Sequence, residues 1–246
     1  MMGAMSPRAP TVRTQADGNN AALKAIADLY GLLAEGFQYP DETTFSRLRS
    51  GAFAAEIGGI LAGLQVHGRL ARMAERLGEA VAETLERFSG LDLEACYNRL
   101  FVLLPIRERI NVSLHGTAYT AAHEYMQSHQ LAELSGLYAS LGLQCSVGVR
   151  PDHISCELEF LRALTTREAL ANEAGQDDVA RDCRAIAREF IQGHFAVWAP
   201  ALCRALARRQ PRFYGALGRL TRELSGWHLA RLNRALGVEW KDTRNT

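Results

Sequence analysis

One short segment carries the residue types whose spacing could do chemistry: an Asp, a His and a Glu within RPDHISCELEFLRAL, at 150–164. Pro151 disfavours helix before it, and Asp152 is placed to cap the free N–H groups of a helix that begins there. At about 100° per residue, Glu157 falls near the centre of the apolar face of this helix. A carboxylate there is costly unless it is paired. His153, one turn earlier on the same face, is therefore its predicted partner.

Three interpretations of this Asp-His-Glu group remain open. The group could tie the preceding loop to the start of the helix. It could also form a ligand or peptide site in a groove beside that loop. Metal binding is the third interpretation, but one His and one Glu four residues apart are too few ligands, and no HExxH motif is present.

A second stretch, LEACYNRLFVLLP at 93–105, places aromatic residues on one helix face. Tyr97 and Phe101 share this face, and core packing is the default explanation for them. They could also line a groove for an apolar peptide, because adaptable apolar grooves bind amphipathic segments. His194 and Trp198 likewise share a face of a later helix and are predicted to belong to the core.

The elements that must position these residues are predicted to be helices almost throughout, so the fold class is all-α. Apolar residues recur at three- and four-residue spacings, and no alternating strand pattern of useful length appears. Asp41 is predicted to cap the second helix, and Pro200 to start a short helix at its first position. The predicted helices cover 23–36, 41–49, 51–63, 70–88, 91–104, 116–128, 131–141, 152–170, 177–198 and 211–236, the last with a break at 225–226.

Loops and composition divide the chain further. Residues 1–18 are polar and are predicted to be a disordered leader. An N-terminal helical part (19–142) and a C-terminal helical part (152–246) are predicted to be joined by a hinge loop, 143–151, which contains two glycines and a proline. The segment PIRERINVSL at 105–114 is predicted to be a second loop, long enough to have a function.

Composition and charge exclude several classes of function. The chain has 246 residues and a formal charge of +1, so nucleic acid is not an expected partner. Five cysteines without a CxxC pair indicate reduced thiols in the cytoplasm. No stretch approaches the roughly 18 apolar residues of a membrane span. Neither a nucleophile motif nor a phosphate-binding loop is present, so we expect neither an enzyme nor a bound cofactor.

Four motifs in order resemble those of one known family. They are YNRLF (97–101), YASLG (138–142) before a loop, PDHISCELEFL (151–161) and FIQGHFAVWAPALCRAL (190–206). Their order and spacing are similar to the TorD/DmsD/NarJ family of molybdoenzyme maturation chaperones, and the similarity runs through most of the chain.

The resemblance implies a TorD-like helical bundle in two parts joined by a hinge. It also implies a chaperone that binds a molybdoenzyme catalytic subunit and its twin-arginine signal peptide until the molybdenum cofactor is inserted. The Asp-His pair that the family uses for the signal peptide falls on Asp152 and His153, with Glu157 as the following acid. The predicted binding site also includes Pro151, Tyr97 and Phe101, which brings it to six residues.

Two other classes of function stay open from the residues alone. An all-α ligand-binding regulator would need a DNA-reading helix-turn-helix, and the N-terminal segment lacks the basic helix expected of one. A haem- or metal-dependent all-α enzyme would show colour or metal content. The sequence does not identify the client, and either a monomer or a hinge-swapped dimer is compatible with it.

Overall fold

The computed structural model describes residues 12–87, 90–102, 112–146, 148–209 and 212–238. Within these residues the chain forms helices, and its β-type pairing is an isolated antiparallel bridge between His115 and His153. This confirms the predicted all-α class. The helices are α1 (Val12–Gly36), α2 (Glu42–Arg49), α3 (Ala52–Gly63), α4 (Arg69–Arg87), α5 (Gly90–Phe101), α6 (Thr117–Thr120), α7 (Glu124–Ser140), α8 (Ile154–Glu173), α9 (Asp177–Phe190), α10 (Ala196–Arg209) and α11 (Phe213–Ala235), with a π-helical turn, Ile191–Phe195, between α9 and α10.

The first helices agree with their sequence signals except at the start of the chain. Asp41 caps α2, because its Oδ1 accepts a hydrogen bond from the Thr44 N–H at 2.8 Å. In contrast, α1 begins at Val12 and so includes residues 12–18 of the predicted leader. Residues 1–11 lie outside the described part of the chain, as do 103–111, which contain most of the predicted loop at 105–114.

Helix boundaries in the second half differ from the prediction at three places. The break predicted between 128 and 131 lies instead at 121–123, where the extended His123 accepts from the Met126 N–H at 3.2 Å and caps α7. Pro200 does not start a helix but lies inside α10. The predicted break at 225–226 is absent from α11, where buried residues on both sides keep the helix against the core. Tertiary burial therefore outweighs the local breakers.

The two predicted parts share a single hydrophobic core. Helix α1 lies along α8, which also contacts α9, while α11 packs between α4 and α10. One cluster of buried side chains includes Ile26 and Leu33 of α1, Leu161 of α8, and Trp198 of α10. The connection 143–151 between α7 and α8 thus joins helices of one packed body, and its role as a hinge stays a prediction. None of the described helices is long and apolar enough to cross a membrane.

Candidate functional site

Asp152 lies at the junction between the 143–151 connection and α8, where its carboxylate is buried. Oδ2 accepts hydrogen bonds from the Thr117 N–H at 3.2 Å and the Thr117 hydroxyl at 2.7 Å, both at the start of α6. Arg150 donates from Nε to Oδ1 at 3.0 Å and from Nη2 to Oδ2 at 2.9 Å. Burial alone would raise the pKa of Asp152, but these donors outweigh burial and lower it. Asp152 therefore ties α6 to the start of α8 as a charged group.

The N-cap of α8 is His153, so the prediction that Asp152 caps this helix is wrong. His153 Nδ1 accepts from the Ser155 N–H at 3.2 Å and lies 2.6 Å from the Ser155 hydroxyl. Its ring meets the His115 ring edge-on, with centroids 5.2 Å apart. Burial, together with the charge of His115, lowers the pKa of His153 to about 4. His153 is therefore a neutral ring at physiological pH.

Glu157 is fully buried, as its place on the apolar face predicts, but its partner is not His153. Its carboxylate accepts from His194 Nε2 at 2.8 Å and from the indole Nε1–H of Trp198 at 3.0 Å. Burial raises the pKa of Glu157 to about 7, although both hydrogen bonds act against that shift. Burial alone would lower the pKa of His194, but the bond to Glu157 raises it. The pair joins α8 to the π-helical turn before α10.

A glycine allows this close packing. A Cβ at Gly116 would lie 3.0 Å from ring atoms of Trp198 and 3.3 Å from Glu157 Oε1. The Gly116 N–H also donates to the carbonyl of Asp152 at 2.8 Å. Only a residue without a side chain lets the start of α6 approach both α8 and α10 this closely.

A cleft of about 880 Å³ opens in front of this junction. Its lining comes from the 143–151 connection, from α8, and from Tyr39 and Tyr97. Tyr138, whose hydroxyl donates to the Pro151 carbonyl at 3.0 Å, lies on its wall with Phe160. The lining mixes aromatic and apolar side chains with nearly as many polar ones, so the cleft can contact both apolar and charged parts of a ligand.

Two of the six predicted binding residues line the cleft and four do not. Tyr97 and His153 line it. Phe101 packs behind Tyr97, at 4.8 Å between ring centroids. Pro151 is half-buried, and its contact with the wall is the hydrogen bond that its carbonyl accepts from Tyr138. Asp152 and Glu157 are completely buried behind the wall, with their hydrogen bonds made inside the protein. As the fold stands, these two carboxylates hold the wall of the cleft in place.

Several residues of this arrangement were not identified as site residues from the sequence. His194 and Trp198 were predicted as core, and Trp198 is indeed fully buried. The pattern F-x-x-x-H-x-x-x-W at 190–198 was the available signal. Its His and Trp lie one turn apart, and both donate hydrogen bonds to Glu157. Thr117 and Arg150 gave no signal, since contacts across 33 positions cannot be read from one sequence. Among the described residues, no three His, Cys, Asp or Glu side chains form a metal-binding group.

Comparisons with known proteins identify the family. Residues 66–204 match the family model described as "Nitrate reductase delta subunit", and they include all six predicted binding residues. The chain is also 39% identical over 95 residues to the "Selenate reductase assembly chaperone protein" of Thauera selenatis. That alignment covers 37% of this chain and 48% of the relative, so the chain matches about half of the relative's length. The predicted resemblance is confirmed: the chain belongs to the nitrate reductase delta subunit family of NarJ/TorD-type molybdoenzyme maturation chaperones.

Proposed function

We propose that this protein is a cytoplasmic chaperone that binds the catalytic subunit of a molybdoenzyme and assists insertion of its molybdenum cofactor. The observation that carries the proposal is the cleft of about 880 Å³ at the start of α8, on the segment where the family's Asp-His motif falls. The name of the Thauera selenatis relative, an assembly chaperone for a reductase, supports the same role. The chain would hold its client rather than transform it.

The shape and lining of the cleft fit an extended or helical peptide segment of the client. Tyr97, Tyr138, Phe160 and Leu143 offer apolar and aromatic surface, and the 143–151 connection offers exposed residues such as Gln144 and Ser146. Peptide-binding grooves use this combination, with main-chain contacts for affinity and apolar pockets for specificity. We propose the apolar part of a signal peptide as the occupant.

The arginine pair of a twin-arginine signal requires an accessible carboxylate near the apolar surface. Asp152 and Glu157 are fully buried, whereas Glu159 lines the cleft with its side chain 44% exposed. Its only ion pair in the described chain is with Arg162, three residues along the surface of α8, at 3.3 Å. We therefore propose that Glu159 meets the client's arginines, that His153 and Tyr97 contact the peptide, and that Asp152 and Glu157 act by positioning.

The first test is recovery of the client from the native host. Tagged wild type, His153→Ala and Glu159→Gln would be used as bait, beside His129→Ala and Glu133→Gln as exposed controls on α7. We expect wild type and both controls to recover one molybdoenzyme catalytic subunit, and the two cleft variants to recover less. Recovery of no molybdoenzyme by wild type would overturn the proposed function.

The second test separates the peptide site from the function. A labelled peptide with the client's N-terminal sequence, and a copy with both arginines changed to lysine, would be titrated by fluorescence anisotropy. Because Lys cannot reproduce the two-pronged contact of Arg with a carboxylate, we expect weaker binding of the lysine peptide to wild type. Glu159→Gln should remove most of that difference. Equal affinities of wild type for both peptides would show that the arginines are not recognised in this cleft.

A further inference from the structure

Two cysteines meet on the wall of the cleft, although they are eleven positions apart in sequence. Cys145 belongs to the 143–151 connection and Cys156 to the first turn of α8, and the two Sγ atoms are 3.1 Å apart. Both side chains line the cleft and both are half-buried. In contrast, Cys183 and Cys203 are buried elsewhere in the fold. The pair is therefore both preassembled and reachable by a small molecule.

We propose that Cys145 and Cys156 form a redox-active dithiol that closes to a disulfide and clamps the 143–151 connection onto α8. The bond requires the sulfur atoms to approach by about 1 Å, to the ~2.05 Å of a disulfide. Cys145 lies in an irregular connection whose neighbours Gln144 and Ser146 are exposed, so the movement does not disturb a helix. The disulfide would form within one chain, independently of the proposed function.

The oxidant is a low-molecular-weight disulfide such as glutathione disulfide. The Cys145 thiolate attacks one sulfur of this disulfide, releasing one glutathione thiol and leaving a mixed disulfide on Cys145. Cys156 then attacks the Cys145 sulfur and releases the second glutathione thiol. Two protein thiols are oxidised, one glutathione disulfide is reduced to two thiols, and both protons leave on glutathione.

The contact between the two thiols supports attack by Cys145 first and by Cys156 second. Cys156 donates its S–H to Cys145 Sγ, so Cys156 keeps its proton in the contact that the structure shows. Burial, and then the contact with Cys145, raise the pKa of Cys156, so Cys156 stays a thiol in the first step. Once Cys145 carries a mixed disulfide, the contact with its thiol no longer raises the pKa of Cys156. In a reducing cytoplasm the pair is expected to rest as the dithiol that the structure shows.

The test uses the purified full chain equilibrated in glutathione buffers from fully reduced to fully oxidised. Samples are quenched in acid, alkylated under denaturing conditions and mapped by mass spectrometry. We expect an intramolecular Cys145–Cys156 disulfide, with Cys96, Cys183 and Cys203 still alkylated. Cys96→Ser is the control and should oxidise as wild type does. Cys156→Ser should stop at a glutathione adduct on Cys145, and Cys145→Ser should form no intramolecular bond.

Two results would overturn the inference. One is full alkylation of both cysteines in the most oxidising buffer, and the other is stable glutathione adducts without an internal disulfide. The clamp has a separate readout, because amide hydrogen exchange in 143–151 should slow on oxidation of wild type and stay unchanged in Cys156→Ser. A disulfide that leaves this exchange unchanged would refute the clamp.

Discussion

Replacing Asp152 with Asn tests whether this buried carboxylate holds the wall of the cleft. The substitution keeps the shape of the side chain but removes its charge and turns one acceptor into a donor. Thr117 donates to Oδ2, and Arg150 donates to both oxygens. An Asn that keeps its oxygen toward Thr117 must point its NH₂ group at the guanidinium. We expect the variant to fold, with the contact between the 143–151 connection and α6 weakened.

The size of the loss follows from the bonds that Asn cannot keep. Hydrogen bonds to charged groups contribute about 1.5–3 kcal/mol each. Because the Arg150 side chain is 42% exposed, water replaces part of its interaction and the lower end of that range applies. Asn cannot keep the bond that Arg150 Nε donates to Oδ1, so we expect the free energy of unfolding at pH 7 to fall by about 1.5–2 kcal/mol. Asp178→Asn is the matched control, since Asp178 pairs with Arg181 while its side chain is 94% exposed, and it should cause no measurable change.

The pH dependence gives an independent check on the charge. The folded-state pKa of Asp152 lies below its usual value, so its stabilisation is present at neutral pH. It should be lost as the pH falls from about 5 through the usual Asp pKa of ~3.9 and toward the folded-state value. The difference between wild type and Asp152→Asn should therefore narrow on acidification.

The assay is urea unfolding followed by far-ultraviolet circular dichroism, at pH 7 and at steps below pH 5. The difference in free energy of unfolding between two proteins is the shift of the urea midpoint multiplied by a common m-value. A loss at pH 7 no larger than that of Asp178→Asn would refute the tie between Asp152 and its donors. A difference of constant size at every pH would refute the assignment of that tie to the carboxylate charge.

Two further predictions concern the contacts of Glu157. Its pKa is raised to about 7 by burial, and that of its partner His194 is raised as well, so the contribution of this pair to stability should fall as the pH rises from about 5 to 8. The stability that Glu157→Gln loses relative to wild type in urea unfolding should therefore shrink over that range, and a loss of constant size would contradict this. Gly116→Ala should lower the free energy of unfolding by about 1–3 kcal/mol through overlap with Trp198; the control Gly136→Ala, which meets open space on α7, should be neutral or stabilising, and equal effects would refute the close-approach argument.

Local sequence signals predicted the helices well where local energetics decide the outcome. Asp41 at the start of α2 and the long apolar periodicity of α8 gave correct elements. The errors occurred where tertiary packing outweighs a local breaker. Pro200 lies inside α10 because Trp198 and Leu202 on either side are fully buried, and this burial offsets the hydrogen bond that a proline cannot donate.

The burial of Glu157 was predicted correctly from the sequence, but its hydrogen-bond partners were not. A helical wheel identified the buried Glu157, because burial on an apolar face is a property of one helix. The wheel chose His153 as the partner since it considers only residues of the same helix. The actual donors, His194 and Trp198, come from 37 and 41 positions further along the chain. Contacts at such separations depend on how the helices pack, which one sequence does not specify.

The burial of the two carboxylates changes how a binding experiment on this segment should be interpreted. Loss of client binding in an Asp152→Ala variant would be expected even if Asp152 never touches the client, because Arg150 and Thr117 would lose the group that holds them. His153→Ala differs, since His153 lines the cleft and its removal exposes no buried charge. Weaker client binding by His153→Ala at unchanged stability would place the client in the cleft. Weaker binding only in variants that also lose stability would assign the motif to the architecture of the cleft wall.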